Sequence, residues 1–269
     1  MNADTLLVEL FVEELPPKAL KKLGESFAGT LAASLKASGL VAADAAVTAY
    51  ASPRRLAVQV TGVASRAADR AVQQKLMPVS VALTADGQPT PALLKKLAAV
   101  GADASAVPGL KRLLDGKAEA LFLDSVVPGA SLAEGLQKAL DEALAKLPIP
   151  KVMTYQLGDG WSDVKFVRPA HKLVALHGTH VVHVEALGLK AGRETLGHRF
   201  EATTPVVAID SAESYAHQLR EQGAVIASFA ERRAEIARQL QAAADKIGGG
   251  VRPIADDALL DGGGNGDRR

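Results

Sequence analysis

The sequence has 269 residues, of which 48% are hydrophobic and 23% are charged, with 24 Gly and 13 Pro. These proportions are those of a globular protein and exclude collagen-like, fibrous and disordered chains. The 31 Lys and Arg nearly balance the 30 Asp and Glu, so no overall field favours a nucleic acid or an anionic membrane as partner. The lack of Cys excludes a disulfide scaffold, a thiolate nucleophile and Cys-ligated metal centres.

The amino terminus predicts a cytoplasmic protein. Residues 1–4 contain an acid instead of the basic segment of a signal peptide, and Glu9 interrupts the apolar run that follows. Other apolar stretches are shorter than the roughly 20 residues that a membrane helix needs.

The first elements read as a strand, a helix and a hairpin. Residues 5–12 are apolar and β-branched, which predicts a buried strand. A helix is predicted from Pro17 to Ser38, because apolar residues recur at three and four positions and Gly39 can end it. Strands 47–51 and 56–63 flank a tight turn, and alternation puts Leu56, Val58 and Val60 on one face and Arg55, Ala57, Gln59 and Thr61 on the other.

The middle of the chain is also predicted to combine strands and helices. Residues 72–85 read as extended segments, and Thr90-Pro91 opens a helix that reaches Gly101. Strands 110–114 and 118–127 flank Asp115-Gly116, a strong hairpin signal. Ser131 and Glu134 form a capping box, which predicts a helix to Leu147.

The prolines at 148 and 150 mark the predicted domain boundary, because they stiffen the chain as an extended spacer. Beyond it, strands are predicted at 164–167, 173–177, 181–187 and 206–209, one helix at 211–223, and another that begins at Ser228 and ends at the glycines 248–250. The whole pattern predicts an α+β fold of mainly antiparallel strands with helices packed on them. We expect an N-terminal lobe at 1–147, a second lobe at 148–250 and a flexible tail at 251–269.

Standard catalytic and nucleotide-binding motifs are missing from the sequence. It contains no G-x-x-x-x-G-K-[ST] loop, no G-x-G-x-x-G turn, no H-E-x-x-H and no G-x-S-x-G. His177, His180 and His183 flank a predicted turn, where residues three apart point oppositely, so we predict no metal site. Glu13 and Glu14 precede a helix, whose N-terminal partial charge favours acids.

A set of basic residues carries the binding prediction. Each lies beside Gly or Pro on a predicted turn, where binding groups concentrate, and Arg or Lys there can grip phosphate or carboxylate. The set consists of Arg54, Arg55, Lys151, Arg168, His171, His198 and Arg199. Trp161 allows two interpretations: a core anchor at the lobe junction, or an aromatic platform for a base.

Five segments in the same order resemble the N-terminal part of the beta subunit of bacterial glycyl-tRNA synthetase. These segments are residues 8–20, 51–58, 147–153, 166–171 and 197–200. They contain the EELPPKAL, SPRRLAV, LPIPKVM, FVRPAH and GHRF sequences, and their common order makes the match specific. The resemblance spans about residues 5–261.

The resemblance implies an enzyme of two alpha and two beta chains that joins glycine to tRNA(Gly). In that family the alpha subunit holds the adenylation site and uses ATP and Mg²⁺, so we expect no cofactor and no catalytic residue in this chain. The basic set would then contact tRNA or the alpha subunit. The family's beta chain is far longer, with an HD-type region and an anticodon-binding domain, so we expect a fragment without anticodon recognition.

Two other functions remain open from the sequence. The segment could be a structural scaffold that contacts the alpha subunit and never touches tRNA. It could also be a free-standing hydrolytic enzyme, which a pocket that joins Asp, His and Ser would favour.

Overall fold

The computed structural model describes residues 3–115, 118–248, 250–254 and 260–261. Helices and antiparallel strands alternate through these residues, as expected of an α+β fold. The strands are β1 (Ala3–Val12), β2 (Val47–Ser52), β3 (Arg55–Ala64), β4 (Arg70–Pro78), β5 (Lys111–Asp115), β6 (Ala118–Val127), β7 (Met153–Gln156), β8 (Asp163–Phe166), β9 (Ala170–His177), β10 (His180–Val181), β11 (Glu185–Ala186), β12 (Leu189–Lys190), β13 (Glu194–Leu196) and β14 (Val206–Ala208). The helices are α1 (Pro17–Ala37), α2 (Val79–Ala82), α3 (Pro91–Ala99), α4 (Leu132–Ala145), α5 (Tyr215–Glu221) and α6 (Phe229–Ile247), with a 3₁₀ turn at Ala104–Gly109.

Two compact units divide the chain. The larger unit comprises Met1–Ala67 together with Ala130–Arg269, and the smaller one is the inserted segment Ala68–Gly129. This division differs from the lobes predicted at 1–147 and 148–250, because β1 pairs along its length with β9 on the other side of residue 148. Most of the tail predicted at 251–269 lies outside the described residues.

A five-stranded antiparallel sheet forms the centre of the larger unit. Its strand order is β10-β9-β1-β3-β2, so β1 lies between two partners. In register, Leu10 of β1 pairs with Leu56 of β3 on one side and with Leu173 of β9 on the other. A strand in this position has no free edge and is covered on both faces, which explains its nearly continuous apolar sequence.

Helices α1 and α4 cover one face of the sheet. Leu6, Val8 and Leu10 of β1 point to this face and join the apolar stripes of the two helices in one core. Helix α1 begins at Pro17 and is followed by Gly39 at φ +73°, where a left-handed residue ends the helix. Both features agree with the sequence-based prediction.

Residues 195–227 cover the opposite face. Here Leu7 of β1 and Val174 of β9 pack against Val207, Ile209 and Tyr215. Helix α5 begins at Tyr215, not at Ser211 as predicted, because Ser211 and Ser214 bond to one another in a turn before the helix.

The smaller unit is a three-stranded antiparallel sheet of order β4-β6-β5 with α2 and α3 against it. Its core contains Leu76, Leu93, Leu97 and Leu121. The hairpin predicted around 115–116 is confirmed, since Asp115 pairs with Ala118, while residues 116–117 lie outside the described part. The prediction of extended segments over residues 72–85 is wrong after Pro78, because one turn of helix follows it.

Candidate functional site

The carboxyl end of β1 is joined by backbone hydrogen bonds to the starts of two other strands. Val12 N donates to Arg54 O and Glu13 N donates to Pro169 O, each over 2.9 Å. Because β1 runs antiparallel to both β3 and β9, its last residues lie beside their first residues. The turn before β3, the residues before β9 and the segment after β1 therefore meet at one end of the sheet.

Three predicted basic residues gather here beside Glu13 and Glu14. Arg54 Nη2 lies 3.2 Å from Glu13 Oε1, and His171 Nε2 lies 2.7 Å from the same oxygen. Arg168 Nε donates to Glu14 O over 3.0 Å. We call Glu13, Arg54, Arg168 and His171 the Glu13 cluster.

The Glu13 cluster is at the surface. The side chain of Arg54 is 24% exposed, and those of Glu13 and His171 are 40% and 42% exposed. In the described part of the chain, Arg54 donates through Nε to Val12 O and through Nη2 to Glu13, out of the five N–H groups of a guanidinium. A guanidinium bonded in this way is oriented and keeps donors for a further partner.

A shallow cavity of about 320 Å³ borders the cluster. Its lining is Glu13, Glu14, Leu15, Pro16, Pro17 and Arg168. The sequence-based interpretation of Glu13 and Glu14 as helix N-terminal charges omits the contacts of the Glu13 carboxylate with Arg54 and His171. The interpretation of Glu13 is therefore corrected to an organiser of two basic side chains.

Arg55 lies beneath this surface and is 4% exposed. Its Nε is 3.4 Å from Glu9 Oε2, and its guanidinium stacks 4.8 Å from the centre of the Phe11 ring. Buried charges are normally paired, and Glu9 supplies the pairing carboxylate. The predicted contact role of Arg55 conflicts with this burial, because the side chain has no path to an external partner.

The other predicted residues do not join the cluster. Lys151 is exposed in the segment before β7. His198 and Arg199 lie in the turn after β13, where His198 N bonds to Gly223 O over 2.7 Å and His198 Nδ1 accepts from Glu201 N over 3.1 Å. No hydrogen bond or ion pair between described residues connects these three to Glu13.

Sequence reasoning missed a buried polar network on β1. Glu9 is fully buried and accepts hydrogen bonds from the hydroxyls of Thr195 and Tyr215. Burial, followed by the charge of Glu9, raises the pKa of Tyr215 well above its usual value. The available signal was an acid inside an otherwise apolar strand.

Trp161 is 90% exposed at the turn between β7 and β8. The interpretation as a core anchor is therefore wrong. An exposed ring is compatible with the other interpretation, an aromatic platform for a base.

A cavity of about 230 Å³ brings His217, Ser228 and Glu231 together. A nucleophile and its base need a direct hydrogen bond. Instead Ser228 Oγ accepts from Glu231 N at the start of α6, and the Glu231 carboxylate bonds to Arg220 over 2.8 Å. This arrangement caps a helix and does not activate the serine.

Comparison with known sequences decides the family. A sequence model of the family described as glycyl-tRNA synthetase beta subunit matches residues 6–262. The chain belongs to this family. The recognition made from the five short segments is confirmed.

Relatives named glycine–tRNA ligase beta subunit are similar over nearly the whole chain. The protein of Leptothrix cholodnii is 73% identical over 261 residues, and that of Acidovorax ebreus is 71% identical over 262. The Dechloromonas aromatica protein is 66% identical over 269 residues. Each alignment covers 97% of this chain but only 36%, 36% and 38% of the respective relative.

Two absences in the described part of the chain concern metals and membranes. Within the residues described, His, Asp and Glu side chains form no group of three or more placed to hold a metal ion. In the same residues, no helix combines the length and the apolar character that crossing a membrane requires.

Proposed function

We propose that this chain supports glycyl-tRNA formation by binding tRNA(Gly) and by docking to a catalytic alpha subunit. Family membership supports the reaction, since the related proteins are named glycine–tRNA ligase beta subunit. The observation that carries the tRNA contact is the meeting of Arg54, Arg168 and His171 at one end of the sheet. Arg54 is more than 100 positions from Arg168 and His171 in sequence, and the pairing of β1 with β3 and β9 brings the three together.

The Glu13 cluster has the chemistry of a phosphate contact. Arg presents a planar fork of donors that matches two phosphate oxygens, and held side chains lose less entropy on binding than free ones. Glu13 holds Arg54 and His171, and Glu14 O holds Arg168. Such contacts position a nucleic acid without reading its bases, so sequence selection lies elsewhere.

The division of labour follows the family. ATP and Mg²⁺ are used by the alpha subunit in this proposal, and the complete enzyme contains two alpha and two beta chains in the cytoplasm. This chain would provide binding surface and no acid–base group. In the described cavity that contains His217 and Ser228, the serine caps helix α6.

A structural scaffold without tRNA contact is the second candidate. The observation that favours it is the internal pairing of the basic set, since Arg54 and His171 share Glu13 and Arg55 is neutralised by Glu9. Under this alternative the same ion pairs only hold β1, β3 and β9 in register.

The deciding experiment changes the charge of two cluster residues. Arg54→Glu with Arg168→Glu should weaken tRNA(Gly) binding in a salt series and reduce the slope of log K against log salt by about 1 for each phosphate that is no longer neutralised. The matched control, Lys138→Glu with Lys146→Glu, reverses one exposed charge on α4 and another at the residue that follows it, and should leave the slope unchanged.

The milder pair Arg54→Gln with Arg168→Gln checks the result, because it adds no negative charge beside Glu13. Unchanged affinity and slope in both cluster variants, with helix content retained by circular dichroism, would reject the tRNA contact. A pull-down with purified alpha subunit in the absence of tRNA then separates the scaffold from the tRNA-binding function.

A further inference from the structure

Trp161 is the sole tryptophan of the chain and is 90% exposed. Tryptophan is a large apolar side chain that is normally buried to a great extent. None of the contacts described above uses its indole ring. An exposed tryptophan on an ordered segment marks an interaction surface, because this residue is enriched at the energetic centres of interfaces.

The turn that carries Trp161 is rigid. The Asp159 carboxylate accepts from Trp161 N over 3.0 Å, from Ser162 N over 2.9 Å and from Ser162 Oγ over 2.6 Å. Leu157 N bonds to Ser162 O over 2.8 Å, and Gly160 takes φ +76°, a conformation that favours glycine. The backbone around the indole is therefore fixed before any partner arrives.

The hairpin below the turn is anchored in the larger unit. Tyr155 and Val164, which pair across β7 and β8, pack against the core, and the Tyr155 hydroxyl accepts from Ala170 N over 3.2 Å. Leu157 lies against Gly188 so closely that a Cβ there would come within 2.3 Å of it. The indole is thus presented on a supported arm.

The charge around the indole is negative. Asp159 and Asp163 lie two positions before and after Trp161, and both are exposed. Hydrogen bonds from Ser162 hold the pKa of Asp159 below its usual value, so this carboxylate is ionised at neutral pH. The nearest basic residue along the hairpin is Lys165, two positions beyond Asp163.

We propose that Trp161, Asp159 and Asp163 form the docking contact for a basic protein surface, with an Arg or Lys of the partner over the indole. A cation over a tryptophan ring gains cation–π attraction, and the adjacent carboxylates add complementary charge. This inference rests on the proposed function, in which the protein partner is the alpha subunit. It assigns tRNA to the Glu13 cluster and the alpha subunit to the hairpin turn.

The same charges argue against a nucleobase on this indole. A base that stacks on Trp161 would bring its phosphates near Asp159 and Asp163, and like charges there repel. Proteins that stack single-stranded bases combine aromatic rings with a basic groove, which this turn does not provide. Stacking of a nucleobase on Trp161 is therefore the alternative that the tRNA-binding measurement tests.

The test measures the affinity of the 269-residue chain for purified alpha subunit and, separately, for tRNA(Gly). Trp161→Ala should weaken alpha-subunit binding at least about 10-fold, as expected of an interface centre, whereas Trp161→Phe keeps most of the affinity. Asp163→Lys should weaken it about 3- to 10-fold and reduce its salt dependence. The matched controls are Leu114→Ala, which truncates another exposed apolar side chain, and Asp86→Lys, which reverses another exposed acid.

Each outcome bears on the inference. Loss of alpha-subunit binding in Trp161→Ala and Asp163→Lys, with tRNA binding and both controls unchanged, supports it. Full alpha-subunit affinity in Trp161→Ala overturns it while the proposed function stands. Loss of tRNA binding alone identifies the indole as a base platform and also overturns it. If the unmodified chain binds no alpha subunit, this inference and the docking part of the proposed function fail together, and the tRNA contact is judged by the Glu13 cluster variants.

Discussion

Tyr215 donates a hydrogen bond from its hydroxyl to Glu9 Oε2 over 2.5 Å, and both side chains are fully buried. The contact joins the middle of the central strand β1 to the first residue of α5. Thr195 bonds to the other carboxylate oxygen, and Arg55 lies 3.4 Å away as the compensating charge. One acid of β1 therefore holds the neighbouring strand β3 together with two segments, β13 and α5, that cover the sheet.

Removal of the Glu9 charge should be strongly destabilising. Glu9→Gln keeps the shape of the side chain but leaves Arg55 buried without its carboxylate, which costs about 3–5 kcal/mol of unfolding free energy. Urea unfolding followed by circular dichroism measures the loss. The exposed pair Lys21–Glu25, at 4.0 Å, is the control, and Lys21→Ala should change stability by less than about 1 kcal/mol.

A double-mutant cycle tests whether the charges of Glu9 and Arg55 interact. Glu9→Gln with Arg55→Gln should cost less than the sum of the single changes, because neither charge is then left alone. Additive losses would show that the two groups are not coupled and would contradict the pairing.

The buried tyrosine should make the protein sensitive to alkali. Burial raises the pKa of Tyr215 above the value of about 10 that it has when unfolded, so the folded state keeps a proton that the unfolded state releases. The stabilisation is complete below pH 10 and falls as the pH rises through the folded-state pKa. Chemical unfolding between pH 8 and pH 11 should show a shallower decline in Tyr215→Phe. Parallel curves for the two proteins would refute the assignment.

Local features of the fold were predictable because they depend on neighbours in sequence. Pro17 and Gly39 delimit α1 through backbone conformations that each residue favours. Alternation in β3 correctly placed Leu56 and Arg55 on opposite faces. The three predicted basic residues of the Glu13 cluster were recognised by type and by their Gly or Pro neighbours.

The remaining features depend on contacts that periodicity does not encode. Alternation showed that Arg55 faces away from Leu56, but not that residues 195–227 cover that side and bury the charge. The pairing of β1 with β9 joins residues more than 150 positions apart on the two sides of Pro148, and no local sequence pattern encodes it. Trp161 is 90% exposed at the turn between β7 and β8. The sequence alone does not show whether a side chain at such a turn faces the core or the solvent.

The close packing of α1 on β2 predicts opposite effects for two glycines of one helix. A Cβ on Gly24 would come within 2.7 Å of Ala51 Cβ, which has no flexible end to move, so Gly24→Ala should lower stability by about 1–3 kcal/mol. Gly29 has nothing within 4 Å of its ideal Cβ, and Gly29→Ala should raise stability by about 0.5–1 kcal/mol. Thermal unfolding of both variants measures the contrast. Equal shifts would show that α1 does not approach β2 this closely.

The caps of α4 and α6 predict different responses to acid. Ser131 Oγ accepts from Glu134 N, and the Glu134 carboxylate accepts from Ser131 N over 2.9 Å and from Ser131 Oγ over 2.7 Å. The Ser131 hydrogen bonds lower the pKa of Glu134, so their stabilisation is present above its unfolded pKa and is lost as the pH falls through its folded pKa. Ser131→Ala should therefore cost about 1 kcal/mol at pH 7 and less below pH 4.

Ser228→Ala is the matched cap, because Ser228 also accepts from the backbone three residues on while the Glu231 carboxylate bonds to Arg220. Its cost of about 1 kcal/mol comes from one neutral hydrogen bond and should not follow the acid titration of Glu134. Urea unfolding of both variants at pH 7 and pH 3.5 compares the two helices. If the costs of Ser131→Ala and Ser228→Ala in unfolding free energy fall equally at low pH, the role of Glu134 is contradicted. Of these two helices, only α4 has a carboxylate that bonds back to its capping residue.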